Sequence, residues 1–488
     1  MYLDRKSCYA ALKAHDARFD GRFFVGVRST GIYCRPICRV KTPLEKNCTF
    51  YPSAAAAELA GYRPCMKCRP ELAPGHSSFD AAARLARNAA KIIEENRLLD
   101  SDMTELADNL GITDRHLRRV FAAEFGVSPT RYLQTCRLLL AKNLLTDTRL
   151  SVTQIAMAAG FGSIRRFNEL FKTQYKLAPS DLRKQECRYM NGDNESITLR
   201  LGYRPPYHWK RQIDFLAGRV IPGVENVKDG TYRRTVSLRQ GEETRTGWIS
   251  VQNTEEKNLI AVTLSHSLLR VLPKVIASVK HLFDLDGDPA EIDKTLEIMN
   301  EYSSGIYVSG TRLPGCFDPF EMSVRAILGQ QITVKAAKTL AMRLAMTFGE
   351  KIETPFDELS TIFPSPETIL AFGGDVENRL GPLGITGVRA RSIFSLADKL
   401  SFGEIDLSPQ ADPETTIPKL LTISGVGPWT AQYIAMRTLG FPDAFPHTDY
   451  GVKKAFAGLS EQEIMRHAEA WRPWRAYATI NLWHSLEQ

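Results

Sequence analysis

Four cysteines in two closely spaced pairs constrain the fold of residues 1–75 more than any other feature. Three residues separate Cys34 from Cys38, and two separate Cys65 from Cys68, which follow after a gap of 26 residues. This is the spacing of a tetrahedral zinc site in which two turns hold one ion with four thiolates. Such a site carries a net charge of about −2, which the flanking Arg and Lys residues offset. The basic surroundings predict that a polyanion binds close to the metal.

Charge is distributed unevenly along the 488 residues, a length that suggests about three domains. Residues 1–190 contain 31 Lys and Arg against 19 Asp and Glu, whereas residues 191–488 contain 32 against 36. The first part therefore has the electrostatic character of a nucleic-acid-binding protein, and the second must use local contacts if it binds DNA. No apolar run approaches the ~18 residues of a membrane span, and no signal segment is visible. We therefore expect a cytoplasmic protein with reduced cysteines and no membrane partner.

One helical pattern occurs twice, at residues 103–121 and 152–171. Each copy predicts a short helix, a turn at Gly111 or Gly160, and a second helix opened by a capping residue, which is the arrangement of a helix-turn-helix. The second helix of each copy would present basic side chains to the major groove of DNA. These side chains are Arg115, Arg118, Arg119, Arg165 and Arg166. The alternative, a solvated basic face on a helical bundle, is disfavoured by the duplication with the same turn spacing.

With its closing segment at residues 175–183, this block resembles an AraC-type DNA-binding domain. The sequences Cys34-Arg-Pro-Ile-Cys38 and Arg63-Pro-Cys65-Met-Lys-Cys68 resemble the N-terminal domain of the Ada proteins of alkylation repair, where an AraC-type domain follows in the same order. The resemblance implies that Cys34 accepts a methyl group from a methylated DNA phosphotriester. It also implies that the loss of one thiolate charge turns this repair event into a transcriptional switch.

The same resemblance implies which residues lie near the DNA backbone in this domain. They are Thr30, Arg39 and Arg63. Lys41 stands where the family often has arginine, so the bidentate phosphate contact of an arginine is not expected there.

A Gly-x-Gly turn at Gly425 and Gly427 lies between two predicted helices in the second half of the chain. Glycines let the backbone approach a phosphate closely, and the amides that open the next helix then point at the anion. Asp449 follows 22 residues after Gly427, at a predicted helix start. Its carboxylate is expected either to cap that helix or to serve a reaction.

The Gly-x-Gly hairpin and the aspartate that follows it together resemble the helix-hairpin-helix DNA glycosylases. Further segments resemble the AlkA-type 3-methyladenine DNA glycosylase II, and this second resemblance covers residues 196–488. These segments are residues 203–209 with Phe215, 312–321, 324–330 and 471–477. The resemblance implies that Asp449 stabilises an oxocarbenium-like sugar while an alkylated purine leaves as a neutral base. It also places an aromatic pocket, which favours a cationic base, around the flipped nucleotide. The pocket residues are Phe215, Trp429, Tyr433 and Trp483.

Two positions depart from related patterns. Some relatives carry a lysine two residues after the second hairpin glycine and form a Schiff base with the sugar. Here this position is Trp429, so we expect base excision without strand cleavage. After Gly-Gln, where the AlkA-type family has a bulky apolar wedge, this chain has Gln331, so either flipping is less efficient or another side chain fills the gap. For Trp429 and Trp483, core packing is the alternative to a role in the pocket.

These features predict a multidomain, mainly α protein with α+β parts. Its expected domains are a zinc domain at 1–75, an all-α double helix-turn-helix domain at 79–188, a β-containing α/β subdomain at 196–310, and a helix-hairpin-helix domain at 311–488. The zinc domain is predicted to be rich in loops, with an alanine-rich helix near residues 53–60. Four strands are predicted in the β-containing subdomain, at 196–203, 232–238, 247–252 and 259–264. The expected partners are double-stranded DNA and, for activation, RNA polymerase, and the chain is expected to be a monomer with one Zn²⁺ ion. Two alternatives stay open: a transcription regulator whose glycosylase half is inert or only sensory, and a glycosylase that a structural zinc domain merely delivers to DNA.

Overall fold

The structure is a computed structural model that describes residues 5–74, 84–96, 103–186, 196–241, 243–254, 258–302, 305–456 and 458–486. The composition of the sequence predicts linkers at 74–78 and 191–194. Residues 75–78 and 191–194 lie outside the described residues. The described chain is mainly helical and contains two β-sheets, which confirms the predicted fold class. No described helix is both long enough and apolar enough to cross a membrane.

A small β-sheet organises the first 74 residues, where the sequence predicted mainly loops. The elements are α1 (Arg5–Ala14), β1 (Phe24–Val27), β2 (Ile32–Cys34), β3 (Cys48–Tyr51), α2 (Ala54–Leu59) and β4 (Arg63–Pro64). The strand order is β3-β1-β2-β4, and only the β2–β4 pair is parallel. The strands escape prediction because they are two to four residues long, too short for an alternating pattern. The predicted alanine-rich helix is confirmed as α2, with Ser53 as its N-cap.

Seven helices lie in the described part of the next block. They are α3 (Arg84–Asn96), α4 (Met103–Asn109), α5 (Asp114–Phe125), α6 (Pro129–Asp147), α7 (Val152–Ala158), α8 (Ile164–Tyr175) and α9 (Pro179–Glu186). Both predicted turns are present, since Gly111 and Gly160 have φ values of +68° and +86°, which glycine adopts without strain. Thr113 and Ser163 cap the helices that follow. The long helix α6 connects the two helix-turn-helix units.

The third block, so far as the structure describes it, contains a five-stranded antiparallel sheet and three α-helices. Its elements are β5 (Ser196–Gly202), α10 (Trp209–Ala217), β6 (Glu225–Lys228), β7 (Thr231–Gln240), β8 (Glu243–Thr254), β9 (Leu259–Ser265), α11 (Leu272–Leu282) and α12 (Pro289–Leu296). The strand order is β5-β9-β8-β7-β6. Four of these strands are predicted by the sequence, whereas the four-residue edge strand β6 is not.

The remainder is helical. Its helices are α13 (Pro319–Leu328), α14 (Val334–Phe348), α15 (Pro366–Leu370), α16 (Val376–Leu380), α17 (Gly387–Ser401), α18 (Pro413–Leu421), α19 (Pro428–Ile434), α20 (Tyr450–Ala455), α21 (Glu461–Ala468) and α22 (Arg475–Ser485). Helix α19 continues directly into a π-helical turn over Ala435–Leu439. Such turns rotate the following side chains relative to a regular helix, and they occur often at functional sites.

Buried polar contacts join the zinc domain to both neighbouring blocks. Lys142 on α6 forms a buried ion pair with Glu71, at 2.6 Å. Arg22 pairs with Asp288, which opens α12 in the second half of the chain, and both side chains are largely buried. Helix α3 also packs on α11, and Gln410 donates to the carboxylate of Glu95. The domains therefore contact one another through buried ion pairs and hydrogen bonds. Loss of one partner of a buried ion pair would leave an unpaired buried charge, which destabilises a fold.

A carboxyl group at the contact between zinc domain and α6 predicts a pH-dependent stability. Burial raises the pKa of Glu58 to about 7, and hydrogen bonds from Tyr33 Oη (3.0 Å) and Thr135 Oγ1 (3.2 Å) offset burial only in part. The folded protein therefore holds a proton that the unfolded chain releases above pH ~4.3, so this group destabilises the fold increasingly as the pH rises to about 7. We expect Glu58→Gln to raise the free energy of unfolding by roughly 1–3 kcal/mol at pH 8 and hardly at all at pH 4, where the carboxyl group is largely protonated in both states.

Urea unfolding at the two pH values measures this difference, with Glu105→Gln as the control because Glu105 is exposed on α4. An equal effect of Glu58→Gln at both pH values would contradict the assignment of the proton to Glu58.

Candidate functional sites

The four cysteines meet where two neighbouring strands end. Strand β2 ends at Cys34, and Cys65 directly follows β4. The two strands run parallel, and Tyr33 is paired with Pro64. The residues that follow this pair, Cys34 and Cys65, therefore lie side by side. Cys38 and Cys68 return to the same place through two short turns.

The geometry of this cluster fits a zinc ion. All four Sγ atoms lie within 4.8 Å of one another, and those of Cys38 and Cys65 are 4.0 Å apart. Tetrahedral coordination with Zn–S bonds of about 2.3 Å requires sulfur separations of about 3.8 Å, so a slight contraction completes the site. The backbone N–H of Arg35 donates to Cys68 Sγ at 3.4 Å, a hydrogen bond that favours the thiolate. The four cysteines therefore form a Zn²⁺ site.

Solvent reaches the cluster unevenly. Cys34, Cys38 and Cys65 are buried, with Cys34 5% exposed, whereas Cys68 is half-buried. Exposure alone therefore does not select Cys34 as a methyl acceptor, and that assignment depends on its place in the motif.

The predicted DNA-contacting residues of the zinc domain lie on the strands and turns beside the cysteines. Thr30 in the β1–β2 turn and Arg39 directly after Cys38 are exposed, and Arg63 in β4 is half-buried. Arg35 differs, since its guanidinium is buried, pairs with Asp20 and donates to the carbonyl of Cys68 at 3.1 Å. Arg35 thus stabilises the second cysteine turn, whereas the outer basic residues remain available to a polyanion.

Both predicted recognition helices present their basic residues to solvent. All five predicted arginines on α5 and α8 are exposed. The opposite faces are buried through Leu117 and Phe121 in α5 and through Phe167 and Phe171 in α8. Each helix is therefore held by its apolar face while its basic face is exposed to solvent, as a helix that enters a groove of DNA requires.

The Gly-x-Gly turn joins α18 to α19, as predicted. Gly425 has a φ of +86°, and a Cβ there would lie 2.5 Å from Ser392 Oγ. A Cβ on Gly427 would meet no atom within 4 Å, so the backbone at this position is open to a ligand. Gly427 is also the N-cap of α19, and the first amides of a helix have no partner within the helix, so this helix start can donate to an anion.

Asp449 has the first of the two roles that its sequence position suggested, that of a helix cap, and its carboxylate also lies at the wall of a cavity. As the N-cap of α20, its Oδ1 accepts from the amides of Gly451 at 2.7 Å and Val452 at 3.3 Å. The indole N–H of Trp483 also donates to Oδ1 at 2.8 Å, and that of Trp429 donates to Oδ2 at 2.9 Å. Four donors therefore fix a half-buried carboxylate in one orientation at the wall of a cavity.

This cavity has a volume of about 500 Å³ and is lined by aromatic and basic side chains. Trp429 and Tyr433 stack in parallel, with ring centroids 5.3 Å apart and planes at 5°, and Trp483 lies 6.1 Å from Tyr433. All three are half-buried and face the cavity together with Asp449. The two tryptophans thus line the cavity rather than packing only in the core.

Phe215 occupies a different place from the other predicted pocket residues. It is 2% exposed and stacks behind Trp483 at 6.3 Å, and it is not among the residues that line the cavity. Its ring supports the wall, and the guanidinium of Arg219 lies 3.7 Å from its centroid. Sequence similarity placed Phe215 near the pocket, but the layer in which it lies depends on how α10 packs against α22.

Two further residues belong to the site and were not predicted. Arg437, in the π-helical turn, lines the cavity and donates to the hydroxyl of Tyr433 at 2.8 Å. Gln330 donates to the carbonyl of Gly425 and to Thr430 Oγ1, both at 2.8 Å. Gln330 could have been predicted, because it lies in a sequence segment that resembles the AlkA-type family. Arg437 had none, because its direction depends on the π turn.

The predicted wedge residue lies next to this bridge. Gln331 is exposed and has a φ of +54°, in the left-handed region that non-glycine residues rarely adopt. The side chain of the preceding Gln330 links this loop to the Gly425 hairpin through a hydrogen bond to the carbonyl oxygen of Gly425.

Four family descriptions match the chain in the order of these blocks. The metal-binding domain of Ada matches residues 7–71, and a helix-turn-helix domain matches residues 106–185. The AlkA N-terminal domain matches residues 198–318, and the HhH-GPD superfamily of base excision DNA repair proteins matches residues 324–473.

Curated relatives agree with this order. A probable bifunctional transcriptional activator/DNA repair enzyme AlkA of Mycobacterium tuberculosis is 36% identical over 100% of this chain and 97% of its own length. DNA-3-methyladenine glycosylase 2 of Escherichia coli is 35% identical over 58% of this chain and 96% of its own. The bifunctional transcriptional activator/DNA repair enzyme Ada of Escherichia coli is 34% identical over 31% of this chain and 42% of its own. The chain therefore belongs to the family of bifunctional transcriptional activators and DNA repair enzymes of the AlkA type, which join an Ada-type metal-binding domain and a helix-turn-helix domain to a DNA glycosylase.

Proposed function

We propose that the protein excises alkylated purines, of the 3-methyladenine type, from double-stranded DNA by hydrolysis. We propose further that Cys34 accepts methyl groups from DNA methylphosphotriesters and that the helix-turn-helix domain then activates transcription. The observation that carries the first activity is the carboxylate of Asp449, held by two indole N–H groups at the wall of an aromatic cavity.

The arrangement around Asp449 suits a reaction in which positive charge develops on the sugar. A purine alkylated on a ring nitrogen is cationic, and the electrons of the N-glycosidic bond leave with it as a neutral base. The positive charge moves to the sugar, where a fixed carboxylate stabilises it without reorganisation. Water then adds to the anomeric carbon and releases its proton to solvent or to Asp449.

The aromatic side chains of the cavity favour a cationic purine over a neutral one as the base that leaves. Trp429, Tyr433 and Trp483 present π faces to the cavity, and such faces attract a cationic ring more strongly than a neutral one. Trp429 also occupies the position from which a lysine would attack the sugar. Because an indole cannot form a Schiff base, we propose that the strand stays intact after excision.

The methyl-acceptor role follows from the chemistry of the cysteine cluster. When zinc is bound, it keeps the thiols deprotonated at neutral pH. The Sγ of Cys34 would attack the methyl carbon of a phosphotriester; the S–C bond forms as the C–O bond breaks, and the phosphate oxygen keeps the electron pair. One negative charge thereby moves from the protein to the DNA, and the zinc domain repels the backbone less. Thr30, Arg39 and Arg63 are the residues we propose to position that backbone.

The transcriptional part rests on the two exposed basic helices. We propose that α5 and α8 enter successive major grooves and that the promoter-bound protein recruits RNA polymerase. We also propose that the chain acts as a monomer in the cytoplasm, with domain boundaries at 1–75, 79–188, 196–310 and 311–488.

One labelling experiment tests both repair activities. Duplex DNA carrying radiolabelled methyl groups is incubated with the zinc-loaded full-length protein, and the label is followed into free bases and into protein. We expect label both as free methylpurine and as S-methylcysteine in the peptide that contains Cys34. Label in neither fraction, from protein that is folded and binds DNA, would instead favour a transcription regulator without repair activity.

A further inference from the structure

One glycine of the glycosylase half, residues 196–488, is explained by the zinc domain. Gly202 ends strand β5, and its φ lies outside the left-handed region, so the backbone conformation does not require glycine there. A Cβ added at Gly202 would overlap the carbonyl oxygen of Leu72 and lie 3.6 Å from Arg35 Nη2. Apart from its neighbours in the chain, the three heavy atoms nearest to this Cβ all belong to the zinc domain. The contact between the two domains therefore requires the glycine, whereas the sheet does not.

A second glycine lies at the same interface on the side of the zinc domain. Gly21 has a φ of +74°, and a Cβ there would overlap the carbonyl oxygen of Pro74 and lie 3.3 Å from Arg204 Nη2. Arg204 is 1% exposed, and its Nε lies 3.8 Å from Asp288 Oδ2, the oxygen with which Arg22 pairs. One buried carboxylate therefore contacts a guanidinium from each domain. Separation of the domains would leave buried charges without their partners, which is unfavourable.

The surface that the zinc domain presents to β5 belongs to the second cysteine turn, which we define as residues 65–72. Leu72 lies four residues after Cys68, at the end of this turn. Arg35 donates to the carbonyl oxygen of Cys68 at 3.1 Å and pairs with the buried carboxylate of Asp20. The position of the Leu72 carbonyl group thus depends on the path of the second cysteine turn, which Arg35 stabilises from within the domain.

The path of this turn depends on the metal site. The four Sγ atoms lie within 4.8 Å of one another, and thiolates at this distance repel one another unless a cation lies between them. For loops that carry metal ligands, the free energy of metal binding is also free energy of folding. The same turn reaches helix α6, because Lys142 donates to Glu71 Oε1 at 2.6 Å. Metal binding therefore stabilises a segment that contacts both neighbouring blocks.

We propose that zinc binding at the four cysteines and the stability of the glycosylase half are coupled through the contact between the second cysteine turn and β5. With zinc bound, the turn holds the Leu72 carbonyl group in the space that glycine at position 202 leaves open. Without zinc, the turn loses this path and the contact is lost. The coupling is reciprocal, so the glycosylase half strengthens zinc binding by the same factor by which zinc stabilises the docked glycosylase half. Neither methyl transfer nor base excision is needed for this coupling.

A substitution in the glycosylase half should therefore weaken zinc binding in another domain. We expect Gly202→Ala in the full-length protein to raise the Kd for zinc about tenfold, because its Cβ displaces the Leu72 carbonyl group. Competition with a colorimetric zinc chelator measures the Kd. Gly374→Ala is the matched control, since it adds the same methyl group to the glycosylase half where a Cβ would meet no atom within 4 Å. An unchanged Kd in Gly202→Ala, or an equal rise in Gly374→Ala, would overturn the inference.

Hydrogen exchange measures the coupling in the opposite direction. Removal of zinc from the unsubstituted protein with EDTA should speed the exchange of the backbone amides of α12 about tenfold, because Asp288 at its start loses the contact with Arg22. Helix α17 is the internal control, since it packs on α13, α15 and α16, and its exchange should not change. In Gly202→Ala, the exchange of α12 should depend little on zinc.

The exchange experiment on the unsubstituted protein decides the matter even if Gly202→Ala does not fold. Exchange of α12 at the same rate with and without zinc would show that the metal stabilises the zinc domain alone, and the inference would fail. Faster exchange of α12 and α17 to the same extent would also overturn it, because the effect would then not pass through the interface with the zinc domain.

Discussion

Replacing Asp449 with asparagine is expected to slow the excision of 7-methylguanine by about 10²–10³-fold, with little change in stability. Asparagine caps a helix about as well as aspartate, and its carbonyl oxygen can accept from Gly451 and Val452 as Oδ1 does now. It removes the negative charge and turns one oxygen into an amide that can no longer accept the indole N–H of Trp429. The substitution therefore removes the negative charge of residue 449 while it keeps the residue's role as the N-cap of α20.

Single-turnover excision measures the first effect, and thermal unfolding measures the second. Asp412→Asn is the matched control, because Asp412 caps α18 in the same domain and does not line the cavity. Full activity of Asp449→Asn would remove the mechanism, since no other carboxylate among the described residues lines this cavity.

Replacing Cys34 with serine is expected to reduce methyl uptake from about one group per chain to none, because a neutral hydroxyl is a poor nucleophile toward a methyl carbon. The measurement is the mass of the peptide that contains Cys34 after incubation with phosphotriester-bearing DNA. Excision of 7-methylguanine by the same variant should stay close to normal, since Asp449 and the cavity lie in a different domain.

Cys136→Ser is the control for this experiment, because Cys136 lies on α6 outside the metal site. The outcome that contradicts the assignment is methylation that persists in Cys34→Ser and maps to Cys68, the more exposed ligand. A complete loss of uptake in both Cys34→Ser and Cys136→Ser would instead point to misfolding, which zinc content and thermal unfolding detect.

Local motifs carried the parts of the fold and site that the sequence predicted. Each of these motifs consists of residues that lie close together in the chain, so it can be recognised without a structure. They are the cysteine spacing, the duplicated turn glycines, the Gly425 hairpin and Asp449. The four longer strands of the second sheet were predicted for the same reason. The strands of the zinc domain were missed, since a two-residue strand such as β4 has no periodicity.

What the sequence could not supply depends on packing between distant segments. Phe215 lies behind the cavity wall because α10 packs against α22, a relation between residues more than 260 positions apart. The direction of Arg437 follows from a π turn that no residue pattern marks. The dual contacts of Asp449 required Trp429 and Trp483 to approach from two helices, one before and one after it in the chain.

The ion pair between Arg22 and Asp288 joins a module that reacts once to a module that turns over many times. Under the proposed function, each methyl group accepted at Cys34 permanently marks one glycosylase molecule, because an S–C bond is not reversed by the chain's own groups. The glycosylase population therefore carries a lasting molecular record of how much backbone damage the DNA has received. That record would fade only as marked chains are degraded or diluted by newly synthesised ones, so its lifetime would be set by the turnover of the protein rather than by the speed of repair.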